Sequence, residues 1–291
     1  MNRIAWGLMS ALLTLAPSLA TAQTPALDIR SLGVGAAVLI GQDGNVVIVA
    51  GPEGAVLIDA ERPHDVPEMQ AAARTLTEGP IRYVINTHWH SDHSGGNAAF
   101  AEQGATLIAH RNVRTRMGAD QYMAAYRVTI PASPPKAWPD VVFDRDLTLH
   151  FGDETIRMVH TPNAHTDGDI LVKLEKANVL HMGDVYFGGM FPFIDRSTGG
   201  GIEGLIASVD MGLSLADEQT KIVPAHGEVA TRADLQTYRD MLRAVADDVK
   251  ARHARGEPMM TVIEAGLTAP YKLEGEANGF VAAIYSSYAR P

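Results

Sequence analysis

Short apolar, β-branched runs alternate along the chain with longer stretches of helical spacing. Residues 36–60, AAVLIGQDGNVVIVAGPEGAVLIDA, fall into three such runs, split by Asp43-Gly44 and by Pro52-Glu53-Gly54. Runs of this length bounded by turn residues predict a meander of three strands. Gly33-x-Gly35 opens the segment without the strand before and the helix after that a dinucleotide-binding turn needs, so it reads as turn glycine. Pro63 to Leu76 predicts a helix closed by Gly79-Pro80, and IRYVI at 81–85 predicts a strand. A further strand over Thr106–Ala109 leads into another helical stretch. Residues 118–140, with Tyr122, Tyr126 and Trp138 among prolines, read either as a surface loop or as a lid. The β pattern returns from Val141 to Leu180 in LTLHF, ETIRMVH, DILVKL and NVL. Helices are predicted over Ile202–Leu215 and Thr231–Arg255, a strand over Lys221–Pro224, and two short helical segments at the end. Strands, helices, strands and helices in this order, with no linker between them, predict an α/β (α+β) fold of two packed sheets with helices outside.

Composition narrows the function. Acidic residues outnumber basic ones 34 to 24 and no basic stripe occurs, which argues against nucleic acid and anionic membrane surfaces as partners. The absence of cysteine excludes disulfides, thiolate metal ligands and a cysteine nucleophile. The start of the chain, MNRIAWGLMSALLTLAPSLATAQ, places Arg3 before an apolar run from Ile4 to Ala16 and small residues at Ala20-Thr21-Ala22. This is the pattern of a secretory signal over residues 1–22, cleaved after Ala22. The run is shorter than the roughly 20 residues a membrane span needs. The expectation is a periplasmic or secreted protein, free of the membrane after cleavage, with residues 23–291 as one domain; its oligomeric state is left open.

The chemistry concentrates in NTHWHSDHSGGN at 86–97, directly after the predicted strand. His88 and His90, two apart on a turned loop, can direct both imidazoles at one cation, while Asp92 and His93 point at a neighbouring position. Two metals need about seven to eight donors, so others must come from elsewhere. His165 in TPNAHTDGD, Asp184 in HMGDVYF and His226 in VPAHGE each lie beside a predicted strand, where a sheet gathers side chains on one rim.

These motifs resemble the metallo-β-lactamase fold superfamily: His88-x-His90-x-Asp92-His93, then His165, Asp184 and His226 in the family's order, over about Val38 to His226. The resemblance implies a four-layer αββα sandwich with a binuclear site between the sheets. It implies that His88, His90 and His165 hold one metal, that Asp92, His93 and His226 hold the other, and that Asp184 bridges them. Asp92 counts as catalytic residue as well as ligand. The implied cofactors are two zinc ions, with iron or manganese as alternatives in one or both positions. Asp59, at the end of VLID, resembles a family position that supports the histidine loop. His160 and His181 lie near the ligands in sequence but are not needed to complete the set, and His64, His110, His150 and His253 read as surface or strand residues.

Imidazoles leave zinc Lewis acidic, and two dications acidify a bridging water into a hydroxide nucleophile. The expected activity is therefore hydrolysis of a carbonyl bond in a small molecule: a β-lactam, lactone, ester or thioester. Asp184 follows the thioesterase, lactonase and phosphodiesterase pattern, since many β-lactamases of the family carry cysteine or serine there. Phe187 stands where many β-lactamases place a substrate-binding lysine, with Arg196 or Lys136 as substitutes. A β-lactamase proper is the nearest alternative; a non-hydrolytic metal-binding or iron redox protein is the alternative of another class. Trp89, Tyr186, Phe187, Phe191 and Phe193 read either as core or as an apolar mouth.

Overall fold

The computed structural model describes residues 27–41 and 43–288, so the predicted signal segment lies outside the described residues. The chain runs β1 (Ile29–Gly33), β2 (Ala36–Ile40), β3 (Asn45–Gly51), β4 (Gly54–Ile58), α1 (Val66–Arg74), β5 (Ile81–Ile85), α2 (Ser91–Ser94), α3 (Asn97–Glu102), β6 (Thr106–His110) and α4 (Arg111–Met117). There follow β7 (Gln121–Met123), β8 (Val128–Ile130), β9 (Val141–Phe143), β10 (Asp146–Phe151), β11 (Glu154–His160), β12 (Ile170–Leu174) and β13 (Val179–His181). The last elements are α5 (Ile202–Leu215), β14 (Lys221–Val223), α6 (Arg232–Ala254), α7 (Met259–Glu264) and α8 (Ala277–Tyr288).

Seven strands form one sheet in the order β1-β2-β3-β4-β5-β6-β9, and five form another in the order β10-β11-β12-β13-β14. The first sheet is antiparallel up to β4 and parallel from β4 to β9. The period of two in β3 shows how the layers arise: Val47 and Val49 face the other sheet, where Ile156, Met158 and Val172 meet them, while Val46 and Ile48 face outward. Those outward residues are covered by Met69 of α1 and Phe100 of α3. On the far side of the second sheet, Leu171, Leu180 and Ile222 pack under α5, α6 and α8 through residues such as Leu205, Leu242 and Ile284. Both faces of each sheet are thus buried, and the predicted αββα layering is the observed one.

The parallel half of the first sheet brings the carboxyl ends of β4, β5 and β6 to one rim, and β13 with β14 does the same in the second. Local differences from the sequence reading are small. The helix expected from Pro63 begins at Val66, with its proline at the first turn being Pro67. The meander gains a fourth strand, β1, hairpinned to β2 through Gly33 and Gly35. The segment 118–140 contains a two-stranded ribbon, β7 with β8, instead of irregular loop throughout. Among the described residues no helix is long and apolar enough to cross a membrane.

Candidate metal centre

The histidine loop leaves the carboxyl end of β5, and its second half is one turn of helix. Backbone amides of His93 and Ser94 both donate to the His90 carbonyl at 3.0 Å, and Ser94 Oγ ties down the Trp89 and His90 carbonyls. That turn, in place of an open loop, directs Asp92 and His93 at the same space. Asp184 arrives from the end of β13. Gly183 before it has φ +52°, and a Cβ there would come within 2.8 Å of Thr87 Cβ, so glycine lets the strand end press against the histidine loop.

The six other residues converge on Asp184, with donor atoms in two adjoining groups. One comprises His88, His90, His165 and Asp184; the other comprises Asp92, His93 and His226. Asp184 Oδ2 lies 3.3 Å from His165 Nε2 and 3.8 Å from His88 Nε2. Its Oδ1 lies 3.5 Å from His93 Nε2 and 3.4 Å from His226 Nε2. Asp92 Oδ2 completes the second group, 3.4 Å from His93 Nε2 and 3.6 Å from His226 Nε2. All the residues singled out as ligands in the sequence are therefore brought together.

Hydrogen bonds fix which ring nitrogens face inward. Asp59 accepts the Thr87 amide at 2.7 Å, the Thr87 hydroxyl at 2.8 Å and His93 Nδ1–H at 3.0 Å. The Thr87 oxygen, its proton given to Asp59, accepts from His88 Nδ1 at 3.2 Å. His165 Nδ1–H donates to the Phe193 carbonyl at 2.8 Å, and His90 Nε2–H donates to Asp195 at 3.2 Å. Each outward nitrogen carries the proton, so each inward nitrogen presents a lone pair. Three lone pairs then meet at close range: His90 Nδ1 lies 3.0 Å from His88 Nε2 and 2.9 Å from His165 Nε2.

Such a cluster repels itself unless a cation stands among the nitrogens. His93 Nε2 and Asp184 Oδ1 are buried with no hydrogen-bond partner, which is costly for a protein group and apt for a ligand atom. The donor set, imidazole and carboxylate without thiolate, fits zinc, iron or manganese. Burial, followed by the positive charge of its histidine neighbours, pushes His88 well below its ordinary pKa and keeps it neutral. Burial acts in the same direction on His165. On His93 burial is outweighed by Asp92, Asp184 and Asp59, which raise its pKa and favour positive charge, a proton or a metal cation, at its inner nitrogen. Burial would raise Asp195, but hydrogen bonds from His90 and Thr198 pull it down to about 2.

Asp195 and the Phe193 carbonyl escaped the sequence reading. Asp195 lies far from the motif, in FPFIDRST, and its local signal is that of a cap: its side chain also accepts the Ser197 amide at 2.9 Å. Asp59 does support the histidine loop, as expected. His160 stacks on His110 at 3.6 Å and His181 bonds to the Asn45 carbonyl and the Gly183 amide, so neither joins the clusters. Of the aromatic residues, Tyr186 packs on Tyr238 and Phe191 on Phe280 as core, while Trp89, buried against Val113 and Met117, also sets its ring edge-on to His90 at 4.6 Å. Phe187 and Phe193 face the ligands, stacked on His226 and next to His165 respectively. Arg196 is spent on the Gly200 and Ser286 carbonyls, and Lys136 sits on a turn packed against α3, so neither replaces the missing lysine at Phe187.

Comparison with known proteins agrees with this geometry. The profile of the metallo-beta-lactamase superfamily matches residues 39–248. A hydroxyacylglutathione hydrolase of Erythrobacter litoralis is 30% identical over 195 residues, 65% of this chain and 66% of that protein, just under two thirds of its length. Another, from Anaeromyxobacter dehalogenans, is 28% identical over 251 residues, covering 84% of this chain and 87% of that protein. The stereoselective inverting sec-alkylsulfatase from Pseudomonas sp. superposes with a TM-score of 0.69 at 16% identity, over 90% of this chain and 50% of that one.

Proposed function

Since the chain belongs to the metallo-β-lactamase superfamily and is a metal-dependent hydrolase of that fold, we propose that it is a binuclear zinc enzyme that hydrolyses a carboxylic ester, lactone or thioester. One observation carries the reading: the two oxygens of Asp184 face two different groups of inward nitrogens. A carboxylate divided in this way suits a pair of ions better than one. His88, His90 and His165 would hold one ion, Asp92, His93 and His226 the other, with Asp184 between them. A pair of zinc ions held there supplies polarisation of a carbonyl and an acidified water.

The chain's own residues do the rest. Asp59, Asp195, Thr87 and the Phe193 carbonyl keep His93, His90, His88 and His165 in the tautomer that offers the inner nitrogen. Phe187 and Phe193 exclude bulk water from the side of His226 and His165. Asp92 keeps 23% of its side chain exposed, against 5% for Asp184, so of the two carboxylates it is the one that reaches the mouth. The thioester and lactone reading rests on Asp184 and on the relatives' names; a β-lactamase reading lacks a cation at Phe187. Export after cleavage at Ala22 belongs to the same proposal, and the N-terminal sequence of the mature protein tests it.

The test is turnover of esters, lactones, thioesters and a chromogenic cephalosporin by metal-loaded protein, with bound metal quantified and a chelator control. Chelator-sensitive turnover of one class is expected. Equal turnover after verified metal removal, or none of any class with both ions bound, would sink the reading.

A further inference from the structure

The mouth of the metal centre lies between segments far apart in sequence. On one side stands the tip of the β7–β8 ribbon. Tyr126 there is 60% exposed, and its ring leans on Phe193 with centroids 5.3 Å apart. Phe193 continues the wall inward, 5.7 Å from the His165 ring and 6.1 Å from that of His90. The ribbon is anchored beside the centre: the Ala124 amide donates to Ser197 Oγ at 2.9 Å, two residues beyond Asp195. On the other side His226 opens into a cleft of about 450 Å³ that includes Gly188, Glu228 and Glu274 in its lining and, among the described residues, no lysine or arginine. Glu276 follows, exposed. Burial first, then Asp92, Glu276 and Asp195, raise the Tyr126 hydroxyl above its ordinary range. On the cleft side Arg30 holds Asp28 and Glu228 and Arg62 holds Asp43; Arg127, beside Tyr126 at the ribbon tip, is exposed.

Resting on the hydrolase reading above, we propose that this mouth selects substrates with an apolar or aromatic acyl group and an uncharged leaving group. The acyl group lies along the Tyr126–Phe193 wall, and the leaving group departs through the cleft lined by Glu274, with Glu276 exposed two residues on. Water adds to the acyl carbon, the bond to oxygen or sulfur breaks, and the leaving atom takes the proton; no redox partner is required. A leaving group bearing carboxylates, as the glutathione peptide does, meets Glu274 in that cleft and no lysine or arginine among the described residues of its lining. This separates the chain's preference from the one stated in the names of its hydroxyacylglutathione hydrolase relatives.

Matched thioesters test it on the metal-loaded full chain. S-phenylacetyl-N-acetylcysteamine and S-phenylacetyl-glutathione share the acyl group and the scissile bond and differ in charge. We expect kcat/KM to favour the uncharged one by about tenfold, mainly through KM. Glu274→Lys combined with Glu276→Lys should shrink that ratio. Tyr126→Ala should erase a preference for phenylacetyl over acetyl, while Tyr122→Ala, exposed on the same ribbon, should keep it. An equal or better glutathione thioester, or a ratio unmoved by the lysine pair, would overturn the proposal. If no ester, lactone or thioester is turned over with both ions bound, the hydrolase reading fails separately. Calorimetry with N-methylphenylacetamide and S-methylglutathione then still decides: tighter binding of the amide supports the selectivity and tighter binding of the peptide refutes it.

Discussion

Asp59 accepts His93 Nδ1–H at 3.0 Å while its other oxygen takes the Thr87 amide at 2.7 Å, so one buried carboxylate sets both the ring and the loop that carries it. Its own backbone sits at φ +69°, a conformation that asparagine tolerates. Asp59→Asn therefore removes charge without adding strain. Metal affinity should fall by about 10–100-fold, as is typical when the partner of a liganding histidine is lost. Competition with a chelator of known affinity measures it, and unchanged affinity would mean that Asp59 serves the fold alone.

Asp195 plays the corresponding part for His90 from the opposite side, held by Thr198 Oγ at 2.6 Å. Asp195→Ala frees the His90 ring to turn and to take the wrong tautomer. The expected loss of metal affinity is again about 10–100-fold. If the two groups bind separate ions, this loss should fall on a different ion from the one weakened by Asp59→Asn. Stepwise metal titration of both variants distinguishes the two; identical titrations would contradict the division of donors.

Asp184→Asn keeps the volume and removes the charge shared by the two groups. Bound metal should drop from about two equivalents towards one, and turnover by at least about a hundredfold. Elemental analysis alongside kinetics reads both. Full metal content with full activity would remove the argument for a bridging role.

A pH effect is expected away from the centre. His110 caps α4, its Nδ1 accepting the Asn112 amide at 3.2 Å, and it stacks on His160. Burial and then His160 lower its pKa to about 4. The folded state thus binds fewer protons than the unfolded chain between that value and about 6.5. The stabilisation is complete above about pH 6.5 and is lost as pH falls towards 4. His110→Asn keeps a capping oxygen but does not titrate. Its Tm should fall less than that of the wild type between pH 7 and 4.5; parallel curves would rule out His110 as a contributor.

Much of the fold could be read from the chain because its strands obey simple periodicity. The predicted strand over Ile81–Ile85 and helix over Ile202–Leu215 match β5 and α5, since Gly, Pro and polar residues bound each run clearly. The ribbon at 121–130 was less legible: its strands have three residues each, too short for a period of two to stand out.

The sequence alone determined which residues could carry metal chemistry. The close spacing of His88, His90, Asp92 and His93 is local, and a short loop leaves such side chains no way to separate. Only the tertiary structure decided their use. Which oxygen of Asp184 meets which histidines depends on how β13 abuts β5's loop through Gly183. That Asp195 holds His90 depends on contact between residues 105 positions apart. That Phe193 and Tyr126 form a wall depends on the packing of the ribbon. Composition and periodicity report what a residue can do and which face it occupies. They carry no information on which distant side chain will fill the space in front of it, because that is set by the close packing of both sheets at once.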